Sequence, residues 1–197
     1  LTVYGEDIDP LSIIEEVDKN TVTTTATYKA KLLISEAGDV RVKEFAGFVE
    51  GKDKGFMEFT APARDRGTRF LKLKDEMWIY IPAVEKSTKI AGHMLRQSLM
   101  GSDFSYDDML ENKKLKESYE ITLSGTDTVM GKNCYLLDLA AKVEEVTYYK
   151  RRIWVDKELF IPLKVELYAK SGKLMKEINI TDFEKIAGRN YPTKIKM

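Results

Sequence analysis

A succession of short strand patterns, with few helical patterns between them, constrains the fold most. After Thr21 apolar residues such as Tyr28 and Leu32 recur at every second position, which is typical of a strand with one wet face. About eleven strand patterns follow one another through short loops. Helical spacing occurs only near residues 8–20 and 92–112. Because helices do not alternate with strands, the sequence predicts a mainly β (α+β) protein with a large, curved antiparallel sheet.

The size and charge of the chain limit the possible classes of protein. Its 197 residues predict a single domain over residues 1–197. The 32 basic and 32 acidic residues balance, which gives no electrostatic reason to expect nucleic acid as a partner. No apolar run approaches the roughly 20 residues of a spanning helix. Cys134 is the only cysteine, so no disulfide can form within the chain.

Two features bear on where the protein comes from. The sequence begins with Leu1 rather than methionine, which indicates a trimmed chain; we expect a removed signal peptide, although a boundary chosen for expression would look the same. Lysine and glutamate are abundant while Gln97 is the only glutamine, which favours a thermophilic source.

The residues offer little support for catalysis. His93 is the only histidine, and its place beside Met94 favours a residue at a helix end or on the surface over a general base. Cys134 opens an apolar strand, which favours a buried, inert thiol. A serine–histidine pair stays open, but no nucleophile-elbow pattern supports it. We therefore expect a protein that is not an enzyme.

An acidic cluster precedes the second helical pattern. Asp103, Asp107 and Glu111 would share a helix face and could hold a hard cation. Ser105 and Asp108 have the spacing of a capping box, which explains the same acidic residues as a helix start. The sequence favours the helix start and predicts no metal site.

A basic run at Lys150-Arg151-Arg152 lies beside Tyr149 and Trp154. Such a run could contact nucleic acid. The zero net charge favours the charged, wet face of a strand instead.

Residues 77–81 are apolar at both parities, so both faces of this strand should meet apolar groups. One face could be the core, and the other a covering helix or a bound ligand. The apolar segment from His93 to Met100, flanked by Gly92 and Gly101, has a helix-like pattern. It could plug the core, or it could form a lid over an apolar cavity with glycines that permit movement.

The stretch from Leu73 to Glu85 resembles the central strand pair of the outer-membrane lipoprotein-sorting (LolA-like) family, in which a turn leads into a Trp-x-Tyr strand, a proline and a short charged strand. Residues 95–108 resemble the branch known only as outer-membrane lipoprotein-sorting proteins. A helix at residues 8–19 that leads into a long strand at 23–34 also fits. The resemblance covers most of the chain in layout.

This resemblance implies a half-open antiparallel β-barrel of about eleven strands, with helices capping a concave apolar side. It further implies a periplasmic or otherwise extracytoplasmic protein that uses no cofactor and performs no covalent chemistry. The implied partners are the acyl chains of a lipoprotein or another lipid, an inner-membrane transporter and an outer-membrane acceptor. Carrier members have an Arg-Pro latch where this chain has Gly51-Lys52-Asp53-Lys54-Gly55, so no latch residue is carried over.

The predicted function is an exported carrier that sequesters acyl chains in an apolar cavity. The alternative is an envelope module that docks a transporter or envelope protein without transporting anything. Trp154 is a weaker candidate for ligand contact. The predicted ligand contacts, on a floor and a lid, are Trp78, Tyr80, Met94, Leu95, Leu99, Met100 and Phe104.

Overall fold

The computed structural model describes residues 8–21, 23–110 and 115–197. They form two compact units, a flanking unit of residues 8–21 with 115–197 and a central unit of residues 23–110. The mainly β, antiparallel class is confirmed, with twelve strands in the described residues rather than about eleven. The single domain over 1–197 stays a prediction.

The central unit is built on a six-stranded antiparallel meander in the order β1-β2-β3-β4-β5-β6. A 3₁₀ helix, Pro82–Val84, lies between the last two strands. The strands are β1 Thr25–Glu36, β2 Asp39–Glu50, β3 Lys54–Ala61, β4 Arg69–Leu73, β5 Glu76–Ile81 and β6 Lys86–Ile90. A second 3₁₀ helix, Gly92–Arg96, and helix α2, Tyr106–Leu110, follow them.

The flanking unit contains a second six-stranded meander, in the order β12-β11-β10-β9-β8-β7. Its helices are α1, Pro10–Thr21, and α3, Leu115–Ser118. Its strands are β7 Tyr119–Val129, β8 Lys132–Ala141, β9 Lys150–Asp156, β10 Pro162–Tyr168, β11 Leu174–Ile186 and β12 Arg189–Lys196.

Helix α1 confirms the helix predicted near residues 8–20. The Asp9 carboxylate accepts a hydrogen bond from the Leu11 backbone N–H at 3.1 Å, which satisfies a donor of the first turn. Ile13 and Ile14 are buried against Leu137 and Leu139 of β8, so the apolar stripe of the helix completes the core of the flanking unit. No helix among residues 8–21, 23–110 and 115–197 is long and apolar enough to cross a membrane.

Strand β1 shows the predicted alternation, because Ala26, Tyr28 and Ala30 are half-buried while the intervening residues are exposed. Gly47 in β2 lies opposite Tyr28. A Cβ at this position would lie 2.1 Å from the Phe56 carbonyl oxygen and 2.7 Å from the Tyr28 hydroxyl oxygen. The close approach of Tyr28 to β2 therefore requires glycine at this position.

Candidate functional site: an apolar face and its cover

One face of the central sheet carries a dense apolar cluster. Phe59 is fully buried, with its ring centroid 5.4 Å from that of Phe45 and 6.1 Å from that of Phe70. Met57 of β3 and Met77 of β5 are also buried in this cluster. We call this surface the covered face.

Residues 92–110, which we call the cover segment, pack on that face. The predicted helix from His93 to Met100 is wrong in type, because a 3₁₀ helix ends at Arg96 and an irregular turn follows. Met100 and Gly101 have φ of 54° and 80°, which a continuing α-helix does not allow. A bridge between Ser98 and Ser105 closes the turn before α2 begins.

The cover segment contacts the covered face through large, soft side chains. Leu99 is buried in the cluster, at 7% exposure. The Tyr106 ring lies 5.8 Å from that of Phe70, and the Lys72 ammonium donates a hydrogen bond to the Met109 carbonyl oxygen at 2.9 Å. The other members of the segment that pack half-buried against the cluster are Met94, Leu95, Met100, Phe104, Met109 and Leu110.

The structure brings five of the seven predicted ligand contacts together: Met94, Leu95, Leu99, Met100 and Phe104. It does not bring Trp78 and Tyr80 to them. Successive side chains of a strand point to opposite faces of a sheet, and Met77 and Ile79 belong to the covered face. Trp78 and Tyr80 therefore lie on the opposite face.

On that opposite face, a row of apolar side chains crosses the four strands from β2 to β5. Its members are cross-strand partners in the order Phe48, Phe56, Leu71 and Trp78. The Lys89 ammonium lies 5.9 Å from the Trp78 ring centroid. Phe48 and Leu71 are 50% and 37% exposed, so this row is an apolar stripe at the surface of the central unit.

The acidic cluster at the start of α2 forms a capping box. The Ser105 backbone N–H donates to the Asp108 carboxylate at 2.7 Å, and the Asp108 N–H donates to the Ser105 hydroxyl at 3.2 Å. The prediction of a helix start is confirmed. Glu111 lies outside the described residues, and in the part of the chain that the structure describes no group of three or more metal-ligating side chains occurs.

Replacing Ser105 by alanine should lower the free energy of unfolding by about 1 kcal/mol, because the Asp108 N–H loses its acceptor at a buried helix start. Urea denaturation measures the change. Ser87→Ala, at an exposed position of β6, is the control. Equal stability of the two variants would show that the capping box contributes nothing.

His93 and Cys134 lie where the sequence predicts them. His93 is exposed in the 3₁₀ helix. Cys134 is fully buried in β8, and burial raises the pKa of its thiol, which keeps it protonated and unreactive.

The basic run of β9 is divided between two faces of the flanking sheet. Arg151 is buried, with its guanidinium carbon 4.9 Å from the Tyr119 ring centroid and 5.5 Å from that of Tyr148. The Arg152 guanidinium donates to Asp138 at 2.9 Å and holds the pKa of that carboxyl below its ordinary value. The run is thus divided between a buried arginine packed on two aromatic rings and an ion-paired arginine on the other face, rather than forming one exposed stripe.

Trp154, the weaker candidate, belongs to the flanking unit. It is 7% exposed, and its indole N–H donates to the Asp127 carboxylate at 2.8 Å. This is a core tryptophan with its polar atom satisfied.

Sequence reasoning missed the residues beneath the cover segment. Phe45, Phe59 and Phe70 form the aromatic layer of the covered face, and Lys72 holds the end of α2. The alternation along β3 places Met57 and Phe59 on one face, a pattern that could have identified this layer.

Comparison with known proteins places this geometry in a family. A family model described as that of an uncharacterized protein matches residues 51–197. The structure of a DUF1329 family protein from Desulfovibrio piger superposes with a TM-score of 0.86 at 27% identity, over 95% of this chain and 85% of that one. The chain belongs to the family that the matching model describes. No curated protein matches it.

Two more solved structures share this fold. A domain from Vibrio parahaemolyticus described as an outer membrane lipoprotein-sorting protein gives a TM-score of 0.82 at 22% identity, over 94% of this chain and 83% of that one. A LolA superfamily protein from Nitrosomonas europaea gives 0.75 at 24% identity, over 95% and 84%. At these identities the likeness shows the fold alone.

Proposed function

We propose that this LolA-like protein is an extracytoplasmic carrier that sequesters the acyl chains of a lipoprotein or another lipid for transport across the cell envelope. It performs no covalent chemistry in this role. An inner-membrane transporter as donor and an outer-membrane acceptor are the partners that such a role implies. The fold shared with a lipoprotein-sorting domain and a LolA superfamily protein supports the coarse function, a lipid-binding carrier.

The observation that carries the proposal is the construction of the cover segment. The backbone N–H groups of Gln97, Leu99 and Ser102 donate to carbonyl oxygens of the same segment. Its contacts with the sheet are made by side chains such as Leu99 and by the Lys72 hydrogen bond. The segment can therefore move away as a unit and uncover an apolar face without breaking a strand ladder.

The energetics suit reversible binding. Each buried CH₂ group contributes about 0.8 kcal/mol, so a chain of about fourteen gains roughly 11 kcal/mol. Displacement of the cover segment and ordering of the ligand reduce this gain. Methionine side chains, such as Met94 and Met100, repack with little strain, which fits a cover that must readmit and release its cargo.

The first test is whether lipid is bound at all. Protein purified from its cell envelope should release acyl lipid on extraction and show lipid adducts in a native mass spectrum. The delipidated protein should bind added fatty acid or lipopeptide. If no lipid co-purifies and no added ligand binds, the carrier proposal fails.

The second test is the substitution Leu99→Asp, which should weaken lipid binding at least tenfold because it places a charge in the covered face. The far-ultraviolet β-sheet signal should persist. Val84→Asp, at a 64% exposed apolar position of the same unit, is the matched control. Equal binding by both variants would remove the cover segment from the site.

The same titration distinguishes the two faces of the central sheet. Trp78→Phe should change lipid affinity by less than twofold if the ligand lies on the covered face. A loss comparable to that of Leu99→Asp would place the ligand against Trp78 and Tyr80, as the sequence predicts.

The alternative function, a non-transporting envelope module, is favoured by a different observation. The face opposite the cover segment exposes the row that includes Phe48 and Leu71, together with Leu33 at 63% and Val40 at 57%. Such a surface is typical of a protein contact. If the unaltered protein binds an envelope protein but no lipid, and Phe48→Ser abolishes that binding, the protein has this alternative function.

A further inference from the structure

A cationic cluster adjoins one end of the covered face. Along β2, Arg41, Lys43 and Phe45 point to the same side of the sheet, because they are two residues apart. Phe45 packs on the apolar cluster through Phe59. The cations therefore continue the line of the apolar surface rather than lying on a separate face.

Lys43 is an unusual residue in this position because it is 4% exposed. Its ammonium pairs with the Asp65 carboxylate, whose side chain is 13% exposed. Asp65 lies in the loop that joins β3 to β4, and that loop closes with a hydrogen bond from the Gly67 N–H to the Phe59 carbonyl oxygen at 2.9 Å. The buried ion pair thus adjoins the aromatic layer of the covered face.

A buried ion pair is a costly way to stabilise a fold, because two charges lose their hydration and apolar side chains of similar volume pack as well. Here the positive charge is in excess. The Arg64 guanidinium also lies 3.8 Å from the Asp65 carboxylate, while Arg41 donates to Glu36 at 3.1 Å. These three cations therefore face only two carboxylates, and the remaining positive charge can bind another anion.

The cover segment reaches the cluster as well. A Cβ built on Gly101 would lie 3.8 Å from a terminal nitrogen of Arg41. The turn at Met100 and Gly101 therefore lies beside the cations. Movement of the cover segment would expose both the apolar face and the cationic cluster at its end.

We propose that Lys43 is the head-group subsite of the carrier, and that it binds the anionic end of an acyl ligand, a carboxylate or a phosphate monoester. Asp65 takes the place of that anion in the unliganded protein and is displaced from Lys43 when the ligand enters. The acyl chain lies on the aromatic layer beginning at Phe45. This inference rests on the proposed function, and it assigns the ligand to the class of acyl chains with an acidic end.

The test compares ligands of equal chain length on the full chain. Dodecanoate, dodecyl phosphate and dodecanol are titrated at about pH 8, where the carboxylate is ionised. The unaltered protein should bind the better of the two anions at least about tenfold more tightly than dodecanol. A preference for dodecyl phosphate identifies a phosphate head group, and a preference for dodecanoate a carboxylate.

Lys43→Met should abolish this preference for the anion, because the charge-assisted contact disappears and the Asp65 carboxylate left behind repels an anionic head group. Lys31→Met is the matched control. Lys31 is an exposed lysine of the neighbouring strand, paired with Glu44 at 2.9 Å on the opposite face. It should keep the full preference.

Two further variants keep the test decisive if Lys43→Met folds poorly. The double variant Lys43→Met with Asp65→Asn leaves neither partner of the ion pair charged and should also bind anion and alcohol alike. Asp65→Asn alone should bind the anion about tenfold more tightly, since the internal competitor is gone. It should also gain more thermal stability from the anion than the unaltered protein does.

The outcomes separate the two proposals. If anions and dodecanol bind equally to the unaltered protein, or Lys43→Met keeps the preference, the head-group subsite is overturned while the carrier stands. If no ligand binds in any arm, the carrier itself fails and the subsite fails with it.

Discussion

Replacing Phe59 by alanine is expected to lower the free energy of unfolding of the central unit by about 3–5 kcal/mol. The side chain is fully buried between Phe45 and Phe70, at ring-centroid distances of 5.4 and 6.1 Å. Its removal leaves a cavity that a six-stranded sheet cannot close by a small shift, and it also removes two aromatic contacts. Equilibrium denaturation in urea, followed by circular dichroism, measures the loss.

Phe59→Leu is the control, because it keeps most of the volume and should cost less than half as much. Leu137→Ala, in the core of the flanking unit, gives a matched perturbation of the other unit. A single domain over 1–197 predicts that both alanine variants shift one common transition. Separate transitions, each moved by one variant alone, would contradict that prediction, and a Phe59→Ala cost below about 1 kcal/mol would contradict the packing argument.

Much of the fold is predictable from alternation alone. In β1 the residues at Tyr28 and Leu32 are half-buried and their neighbours exposed, so the hydrophobic pattern determines both the strand and its face. Helix α1 is equally clear, because Ile13 and Ile14 lie on one stripe beside a capping aspartate. These elements depend on local sequence, which is why they can be predicted without a partner.

The grouping of the strands into two six-stranded sheets cannot be predicted from the local sequence. The chain passes from β6 to β7 through the cover segment and the short helix α3, and nothing in that stretch marks a change of sheet. Hydrogen-bond partners at long range decide it.

The candidate site likewise has one part that the sequence predicts and one part that it does not. The contacts of Leu99 and Met100 could be predicted, because a large apolar segment has to cover something. The face of Trp78 could not. Residues 77–81 are apolar at both parities, and their cross-strand neighbours Phe70 and Leu71 are apolar as well. Only the position of the cover segment, fixed by contacts distant in sequence, determines which face is covered.

Replacing Asp156 by alanine is expected to destabilise the flanking unit by about 2–4 kcal/mol. Asp156 is 2% exposed at the end of β9. Its carboxylate accepts hydrogen bonds from the Glu158 and Leu159 backbone N–H groups at 2.8 and 2.9 Å, and the Lys132 ammonium lies 3.1 Å away. Alanine leaves two backbone donors at the β9–β10 turn and a half-buried ammonium without that acceptor.

The control Asp156→Asn separates the hydrogen bonds from the charge. Asparagine keeps an oxygen for the N–H groups of Glu158 and Leu159 but loses the ion pair with Lys132, so it should cost about 1–2 kcal/mol at neutral pH. Urea denaturation of both variants measures the difference. Equal losses for the two variants would show that the charge, rather than the turn, carries the effect.

The pH dependence of that loss follows from the same contacts. Burial opposes ionisation of Asp156, but the hydrogen bonds from Leu159 and Glu158 and the charge of Lys132 outweigh it and lower the pKa below the ordinary 3.8. A lowered pKa means that the unfolded chain takes up the proton first on acidification. The stabilisation by the carboxylate is therefore complete above pH 3.8 and is lost as the pH falls through the pKa of the folded state. The difference in stability between the unaltered protein and Asp156→Asn should shrink over that range, and a difference that grew on acidification would contradict the lowered pKa.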